Sequence, residues 1–287
     1  MTWQSEVSNL KSVLIKDPIE AFVSQEKIDK EWQSLNYLEK PDFEQALEEY
    51  GYFEKVLLEN GVKINKLKSA NTLDSLYARD ASISTNGGMI ICNMGKPERN
   101  HEPRVQAEFY QNHGIKIKGF IEPPGTLEGG DVAWIDESTI AVARGYRTND
   151  EGIRQLRELV KDVVDEVIVF HSPHYRGPSD VFHLMSVFSP IDHDLAVVYS
   201  PLMPVSFREL LINRGIKLIE VPEEEFDSLG CNVLAIKPRL AIMCQGNPVT
   251  KKRLQNAGVE VLEYCGKEIS LKGCGGPTCL TRPLERA

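Results

Sequence analysis

One cysteine, one histidine and three carboxylates occupy turn-like positions far apart in this 287-residue sequence. Cys279 ends a segment rich in glycine and proline, and His183 lies in an apolar, strand-like run. Asp80 directly precedes a strand, whereas Glu128 and Asp131 flank two glycines. A thiolate can attack an electrophilic carbon while a histidine protonates the leaving group. These residue types therefore predict nucleophilic catalysis by Cys279, with His183 as the general acid and base.

The acidic residues indicate which substrate such a site would accept. Asp80, Glu128 and Asp131 would repel the oxyanion that develops when an ester or a peptide is attacked. They favour a cation, and a planar guanidinium pairs with carboxylates in bidentate geometry. We therefore predict a small cationic guanidino compound as the substrate.

Each of these features also has an ordinary structural explanation. Glycines and acids at 128–131 suit a solvated turn, and a lone histidine in an apolar strand is usually a hydrogen-bonded core residue. The segment 272–281 could be flexible, with its cysteine merely buried. The combination favours catalysis. The competing hypothesis is a non-catalytic protein that binds cationic peptides or polyamines through an acidic cavity.

One pattern recurs five times along the chain: an amphipathic helix, a helix-ending glycine and a short β-branched strand. The copies are centred on Gly61, Gly114, Glu166, Gly215 and Gly258, where Glu166 replaces the glycine. These positions lie 53, 52, 49 and 43 residues apart, and periods of this size are typical of propellers or solenoids. Glycine suits the left-handed residue that closes a helix.

Strand-like hairpins lie between the copies, as at 81–92, 132–143 and 232–243. Each unit therefore comprises a hairpin, a helix and a strand. Because one unit is too small to have its own core, we expect all five to pack around a shared axis as a single domain, residues 1–287. A plain α/β fold with helix–glycine–strand joints is the alternative. Segment 17–42 lacks periodicity and is a candidate surface loop or lid.

Composition and charge argue against several other classes of protein. The sequence has 33 basic and 42 acidic side chains and a net charge of −9, which opposes binding to nucleic acid. It contains no apolar run of about 18 residues and no secretory signal, so we expect no membrane span and a cytoplasmic location. The cysteine spacing is not that of zinc sites. We therefore predict free thiols, no metal and no cofactor.

Four segments resemble, in order, the signature motifs of the guanidino-group modifying superfamily. They are Arg79-Asp80, Leu127-Glu128-Gly129-Gly130-Asp131, Phe182-His183-Leu184 and Gly275-Gly276-Pro277-Thr278-Cys279-Leu280. That superfamily includes arginine deiminase, dimethylarginine dimethylaminohydrolase and the amidinotransferases, and the resemblance extends from about the first strand to Cys279. It implies the pentein fold, an α/β fold in which five ββαβ modules form a pseudo-symmetric five-bladed propeller around a central substrate cavity.

The resemblance also implies roles for individual residues. Cys279 matches the family nucleophile and His183 the general acid and base. Asp80 and Glu128 match the carboxylates that grip the guanidinium. The implied reaction passes through a covalent amidino group on Cys279, which water then releases as a urea-type product.

Three further residues are candidate substrate contacts. Arg99 and Arg147 fall where members of the superfamily place arginines that hold the carboxylate of the substrate. Arg147 could instead brace the helix N-cap that begins at 148–151. Asp131 either contacts the substrate or accepts backbone N–H bonds behind the site. Cys274 is expected to be a packing residue.

One departure from the superfamily pattern bears on the substrate. Arginine deiminases and amidinotransferases typically have an aspartate two positions after the histidine. This sequence has Met185 at that position. Dimethylarginine hydrolases also lack that acid. The resemblance is therefore greatest to dimethylarginine dimethylaminohydrolase-like proteins, and implies hydrolysis of a C–N bond in arginine or a substituted guanidine. Amidino transfer to an amine and arginine deimination are the alternatives. The oligomeric state is left open, with a homodimer as one option.

Overall fold

The computed structural model describes residues 2–69, 72–180 and 182–287. Their strands are β1 (Leu10–Ile15), β2 (Lys63–Lys66), β3 (Ser82–Thr85), β4 (Gly88–Ile91), β5 (Ile117–Phe120), β6 (Val132–Trp134), β7 (Thr139–Arg144), β8 (Glu166–His171), β9 (Phe188–Asp192), β10 (Leu195–Val198), β11 (Lys217–Glu220), β12 (Leu234–Lys237), β13 (Leu240–Cys244), β14 (Glu260–Tyr264) and β15 (Arg282–Arg286). The helices are α1 (Pro18–Ala21), α2 (Gln25–Glu31), α3 (Phe43–Glu59), α4 (Glu102–Asn112), α5 (Asp150–Val160), α6 (Val205–Asn213) and α7 (Pro248–Asn256).

The strands form five sheets of three strands each, in the orders β15-β1-β2, β3-β4-β5, β6-β7-β8, β11-β10-β9 and β12-β13-β14. In every sheet the middle strand pairs antiparallel with one neighbour and parallel with the other. A helix precedes each parallel strand, because a parallel pair requires a long crossover. The architecture is therefore a five-bladed α/β propeller of ββαβ modules, as the sequence predicted.

Burial increases from the outer strand of each sheet to the inner one. All four residues of β3 are buried, whereas β5, at the other edge of the same sheet, has none fully buried. The core lies between the sheets and their helices, where Ile140 of β7 packs in one apolar cluster with Leu156 and Val160 of α5. The inner strands are thus held firmly around the axis, and the loops that precede them are held with them.

The helix–glycine–strand pattern predicts the repeated joint correctly. Gly61, Gly114, Gly215 and Gly258 all adopt positive φ angles between 66° and 83°, the conformation that glycine tolerates best after a helix. The helix that precedes Gly215 is α6, which ends two residues before this glycine. The strands β5, β11 and β14 begin two or three residues after the glycine of their joint.

The first sheet contains both ends of the chain. Strand β15 pairs antiparallel with β1, with Leu10 opposite Arg286 and Leu14 opposite Arg282. No pattern in the sequence predicts β15, nor β9, which contains Pro190. The expectation of a surface loop at 17–42 was wrong in part, because α1 and α2 lie there. In the part of the chain that is described, no helix is long and apolar enough to cross a membrane.

Candidate active site

The candidate site lies on the axis, where the loops before the inner strands meet. Asp80 precedes β3, Glu128 precedes β6, His183 precedes β9, Asn232 precedes β12 and Cys279 precedes β15. The pseudo-symmetry thus places one residue from each of the five modules at the same end of the propeller. All five side chains are at least 92% buried, with Cys279 the most exposed at 8%.

The centre of the site is an ion pair between His183 and Glu128. The distance from Nε2 of His183 to Oε2 of Glu128 is 2.7 Å. The other carboxylate oxygen of Glu128 accepts the backbone N–H groups of Gly95 and Lys96, each at 3.0 Å, and lies 3.7 Å from Nη1 of Arg147. Glu128 is therefore held in one orientation by contacts from several loops.

Asp80 has one occupied and one unoccupied carboxylate oxygen. Its Oδ2 accepts a hydrogen bond of 2.6 Å from Nη1 of Arg99. Its Oδ1 is buried, lies 3.9 Å from Nδ1 of His183, and has no hydrogen-bond partner among the described residues. A buried carboxylate oxygen without a donor is costly unless a ligand supplies one. Gly130 lies against both groups, since a Cβ there would be 2.8 Å from this oxygen and 2.5 Å from His183.

Arg99 is engaged mainly by the protein itself. In addition to Asp80, it donates to both oxygens of Glu102 at 2.8–3.1 Å and to the carbonyl of Tyr77 at 3.0 Å. Arg147 has fewer partners, with a hydrogen bond of 3.5 Å to the carbonyl of Asp180 besides its approach to Glu128. The structure thus brings both predicted arginines to the site. Arg147 has more donors left to contact a substrate than Arg99 has.

Asp131 lies behind the other acids. Its two oxygens accept from the hydroxyl of Thr148 at 2.7 Å and from the backbone N–H of Leu184 at 3.1 Å. Because Leu184 follows His183, this bond connects the loop of the histidine to the loop of Glu128. Burial raises the pKa of Asp131 to about 6. These contacts match the structural alternative for Asp131 that the sequence left open.

Cys279 is oriented by a neighbour, Asn232, that no sequence motif predicts. The amide nitrogen of Asn232 donates to Sγ of Cys279 at 3.2 Å, and Oδ1 of Asn232 accepts from the backbone N–H and the hydroxyl of Thr278. Gly276 packs so closely that a Cβ there would be 2.5 Å from Asn232. No motif around Asn232 marks it, because its only signal is its place before an inner strand, equivalent to that of Asp80.

The charges around the site set its protonation state. Burial opposes the charged form of His183, but the carboxylates of Asp80, Asp131 and Glu128 outweigh it and raise the pKa to about 9. Burial likewise opposes ionisation of Glu128, yet its hydrogen bond and ion pair with His183 lower its pKa to about 2. Burial and the charge of Asp80 raise the pKa of Cys279. Near pH 7 the empty site therefore contains an imidazolium, a carboxylate and a neutral thiol.

Cys279 and His183 line two cavities of different character. The apolar cavity has a volume of about 140 Å³, and its apolar walls include Leu38, Tyr175, Phe182, Met185, Phe226 and Leu229. The polar cavity is only about 20 Å³, and its lining includes Asp74, Asp80, Lys96, Arg99 and Arg147. Leu35, Asn36 and Leu38 contribute to these walls, so segment 17–42 covers the site as a lid would.

The side chains at the centre of the site are of the types that bind cations. Asp80, Glu128 and His183 each offer one ligand atom, and these atoms lie within 4.8 Å of one another. The arrangement suits either a metal ion or an organic cation. All six cysteines are free thiols, as predicted, and Cys274 lines both cavities beside Cys279.

Comparisons with known proteins agree with this architecture. The uncharacterized protein YkgA of Bacillus subtilis is 30% identical over 213 residues, covering 74% of this chain and 70% of YkgA. The arginine deiminase of Rhodococcus erythropolis is 25% identical over 246 residues, and the match covers 74% of this chain but only 60% of that enzyme.

Solved structures show the same fold. Dimethylarginine dimethylaminohydrolase from Pseudomonas aeruginosa, in complex with citrulline, superposes with a TM-score of 0.78 and 24% identity, covering 95% of this chain and 98% of the other. In addition, the family model for eukaryotic N,N dimethylarginine dimethylhydrolase matches residues 20–286. Because this match extends over nearly the whole sequence, the chain belongs to the N,N dimethylarginine dimethylhydrolase family, within the guanidino-group modifying superfamily that its motifs indicated.

Proposed function

We propose that this protein is a cysteine-dependent hydrolase of substituted guanidino compounds, and that its five modules form one catalytic domain. The observation that carries the proposal is the unpartnered Oδ1 of Asp80, buried beside the ion pair of His183 and Glu128. A guanidinium has several N–H donors in one plane and a positive charge. It would supply both the missing donor and the missing counter-charge.

Substrate binding would also activate the nucleophile. The neutral thiol of Cys279 is favoured in the empty site because burial and the negative charge of Asp80 raise its pKa. A bound guanidinium adds a positive charge next to Asp80 and so lowers the pKa of the thiol. The thiolate therefore forms chiefly when a cation occupies the site, which limits reaction with other electrophiles.

The reaction follows from these protonation states. The thiolate of Cys279 adds to the guanidinium carbon, and the imidazolium of His183 transfers its proton to the nitrogen of the leaving group. The C–N bond breaks and leaves an amidino group on sulfur. The imidazole, now neutral, accepts a proton from water. The resulting hydroxide attacks the amidino carbon, and the C–S bond breaks with its electrons remaining on sulfur. A urea-type product leaves as the hydroxyl proton of the intermediate passes to solvent, and the Cys279 thiolate and the His183 imidazolium are restored.

The two arginines have different roles in this proposal. Arg99 positions Asp80, because its other donors are committed to Glu102 and Tyr77. Arg147 is the better candidate to hold a substrate carboxylate, since it lines both the polar cavity and the adjoining cavity formed with Tyr146 and His174.

The apolar cavity supports a substituted guanidine over free arginine. Met185 lines this cavity and is 2% exposed, where an aspartate would offer a further contact to an unsubstituted nitrogen. An N-alkyl group would bury apolar surface against Met185, Phe182 and Phe226, worth about 0.8 kcal/mol per methylene. The substituent would leave as an amine.

The test is to incubate the purified protein with L-arginine, Nω-methylarginine, Nω,Nω-dimethylarginine and simple N-alkylguanidines. Released ammonia or amine and the ureido product are measured by mass spectrometry. We expect equimolar amine and ureido product, with kcat/KM higher for the N-alkyl compounds than for arginine. A clear preference for free arginine would contradict the role of the apolar cavity and leave the hydrolase assignment intact.

Addition of glycine, ornithine or lysine to the same assay tests transfer. A new amidino-amine product in place of the ureido product would show an amidinotransferase and refute hydrolysis. The matched control is Cys279→Ser, which retains the size of the side chain. If this variant turned over substrate at the native rate, the covalent mechanism would be wrong.

A further inference from the structure

A second group of buried charges lies in the protein and takes no part in the proposed chemistry. It consists of Arg79, Arg282 and Arg286, here called the arginine cluster, whose residues are 1–4% exposed. Arg282 and Arg286 are the first and last residues of β15. Arg79 lies before β3, the inner strand next to β15 in the propeller.

The arginine cluster has fewer acceptors than it needs. Arg79 pairs with Glu6 at 2.6 Å, Arg282 donates to the carbonyl of Arg79 at 2.8 Å, and Arg286 donates to two carbonyls. Four buried nitrogens have no protein partner in the described residues: Nε and Nη1 of Arg79, Nε of Arg282 and Nε of Arg286. Nearly all buried donors in proteins are satisfied, and charged ones are the most costly to leave unpaired.

The charges of the cluster are also unbalanced. Within the described ranges, the one ion pair of the cluster joins Arg79 to Glu6, and Arg282 and Arg286 have no carboxylate in ion-pair contact. Three positive charges and one negative charge leave two in excess. Burial, followed by the charge of Arg79, lowers the pKa of Arg282 to about 10. Burial also lowers the pKa of Arg286 to about 10, and the charges of Arg79 and Arg282 act in the same direction. Arg282 and Arg286 therefore remain charged near pH 7.

We propose that the arginine cluster binds a small monovalent anion of the halide class inside the propeller. Such an anion accepts hydrogen bonds from several N–H donors at once and offsets one of the two excess positive charges. The near-complete burial of the three side chains favours a monatomic ion such as chloride over phosphate, which is larger and carries more charge to be dehydrated. Nothing in the proposed catalytic mechanism depends on this site.

The anion site adjoins the backbone of the active site. The backbone N–H of Arg79 donates to the carbonyl of Cys279 at 3.1 Å, and the carbonyl of Arg79 accepts from Arg282. The next residue, Asp80, accepts through its carbonyl from the N–H of Gly129 at 2.8 Å. A bound anion would therefore stabilise the base on which Asp80 and Cys279 are held.

The first test uses the native protein and the ions themselves. Thermal unfolding is followed at constant ionic strength while sodium gluconate is replaced by sodium chloride or sodium bromide. We expect Tm to rise saturably, by about 2–4 °C at several times Kd. Crystals grown in bromide should show an anomalous peak among the three guanidinium groups.

Two variants should shift the halide effect in opposite directions. Arg79→Met removes one positive charge and two free donors, so bromide should bind at least tenfold more weakly. Glu6→Gln removes the competing carboxylate, so bromide should bind more tightly. The control is Arg104→Met, whose side chain is 85% exposed and which should respond like the native protein.

The proposal would be overturned by an equal Tm in gluconate, chloride and bromide together with the absence of a bromide peak at the cluster. Density for water alone at these nitrogens would have the same consequence. If a variant fails to fold, the titration and the bromide map of the native protein still decide. Neither result affects the proposed function, whose assay measures amine and ureido product.

Discussion

Two buried clusters of opposite character lie close together in this propeller. The acidic cluster, Asp80, Glu128 and Asp131 around His183, has an unpartnered acceptor. The arginine cluster has four unpartnered donors and an excess of positive charge. Most other buried polar side-chain atoms of the described residues have hydrogen-bond partners, so these two clusters differ from their surroundings. The kind of group that lacks a partner indicates the ligand. An unpartnered acceptor in the acidic cluster indicates a cation, and unpartnered donors in the arginine cluster indicate an anion.

The clusters also differ in what holds them. Glu128 and Asp131 are fixed by backbone N–H groups from neighbouring loops, so their geometry survives exchange of ligands. Arg282 and Arg286 donate to backbone carbonyls, so they support the surrounding chain. We therefore expect changes in the acidic cluster to affect chiefly turnover and changes in the arginine cluster to affect chiefly stability.

The largest expected effect comes from removing the nucleophile. Cys279→Ala should lower kcat by roughly 10⁴-fold or more, because no covalent intermediate can form. Arg79→Met should leave kcat within about tenfold of the native value but lower the free energy of unfolding by about 3–5 kcal/mol, since Glu6 loses its buried partner. Steady-state kinetics and urea unfolding measure the two. If Arg79→Met folded but were as inactive as Cys279→Ala, the expectation that the arginine cluster affects chiefly stability would be wrong.

Loss of the proton shuttle should rank next. His183→Gln retains a similar size and can still donate a hydrogen bond, but it cannot transfer a proton. We expect kcat to fall by roughly 10²–10⁴-fold. Substrates whose leaving amine has a low pKa should be affected least, because their departure needs the least protonation. An equal loss for good and poor leaving groups would argue that His183 only positions Glu128.

The same chemical change in each cluster gives a matched comparison. Asp80→Asn and Glu6→Gln each replace one buried carboxylate by its amide. We expect Asp80→Asn to lower kcat/KM by roughly 10²–10³-fold, through loss of the charge that faces the guanidinium. Glu6→Gln should change kcat/KM by less than about threefold, well within the cost of one minor contact. Comparable losses in both variants would show that the two clusters act as one unit.

The smallest effect is a difference in the pH dependence of stability. The folded pKa of His183 is about 9, above the ordinary 6.5, so its stabilisation is complete below pH 6.5 and is lost as pH rises through 9. The pKa of Glu128 is lowered to about 2, so its contribution is present above pH 4.5 and is lost as pH falls toward 2.

Chemical unfolding between pH 6 and 10 tests this assignment. The free energy of unfolding of the native protein should fall, by on the order of 3 kcal/mol at most, relative to that of His183→Gln. Glu128→Gln should shift the fall to lower pH, because His183 loses its closest negative partner. Parallel curves for native protein and His183→Gln would mean that the imidazolium is not stabilised by the fold.

Much of the fold could be predicted from local sequence, and the reason is periodicity. The helix-ending glycines, the apolar strand patterns and the hairpin turns are short-range signals, and each module repeats them. Strands β9 and β15 escaped prediction because a proline interrupts one and charged residues begin and end the other. Both are inner strands, whose burial comes from neighbouring modules and not from their own pattern.

The candidate site could be predicted where its residues have chemistry of their own. Cys279, His183, Asp80 and Glu128 were identified by type and motif, and the structure brings them together. Asn232 was missed because an asparagine near a turn is ordinary. The commitment of Arg99 to Glu102 and Tyr77, and the contacts of Asp131 with Thr148 and Leu184, depend on which loops meet at the axis.

The sequence by itself determined that there are five modules and which residue types precede the inner strands. Both depend on patterns within short stretches of the chain. Only the tertiary structure decided that β15 pairs with β1, that one oxygen of Asp80 lacks a hydrogen-bond partner, and that Arg79, of the three arginines in the arginine cluster, is the one paired with Glu6. Those features join residues that are far apart in the sequence: the hydrogen bond from Arg282 to Arg79 spans 203 positions and that from Arg286 to Ser8 spans 278. Their energies depend on burial and distance, which exist only once the ring is closed.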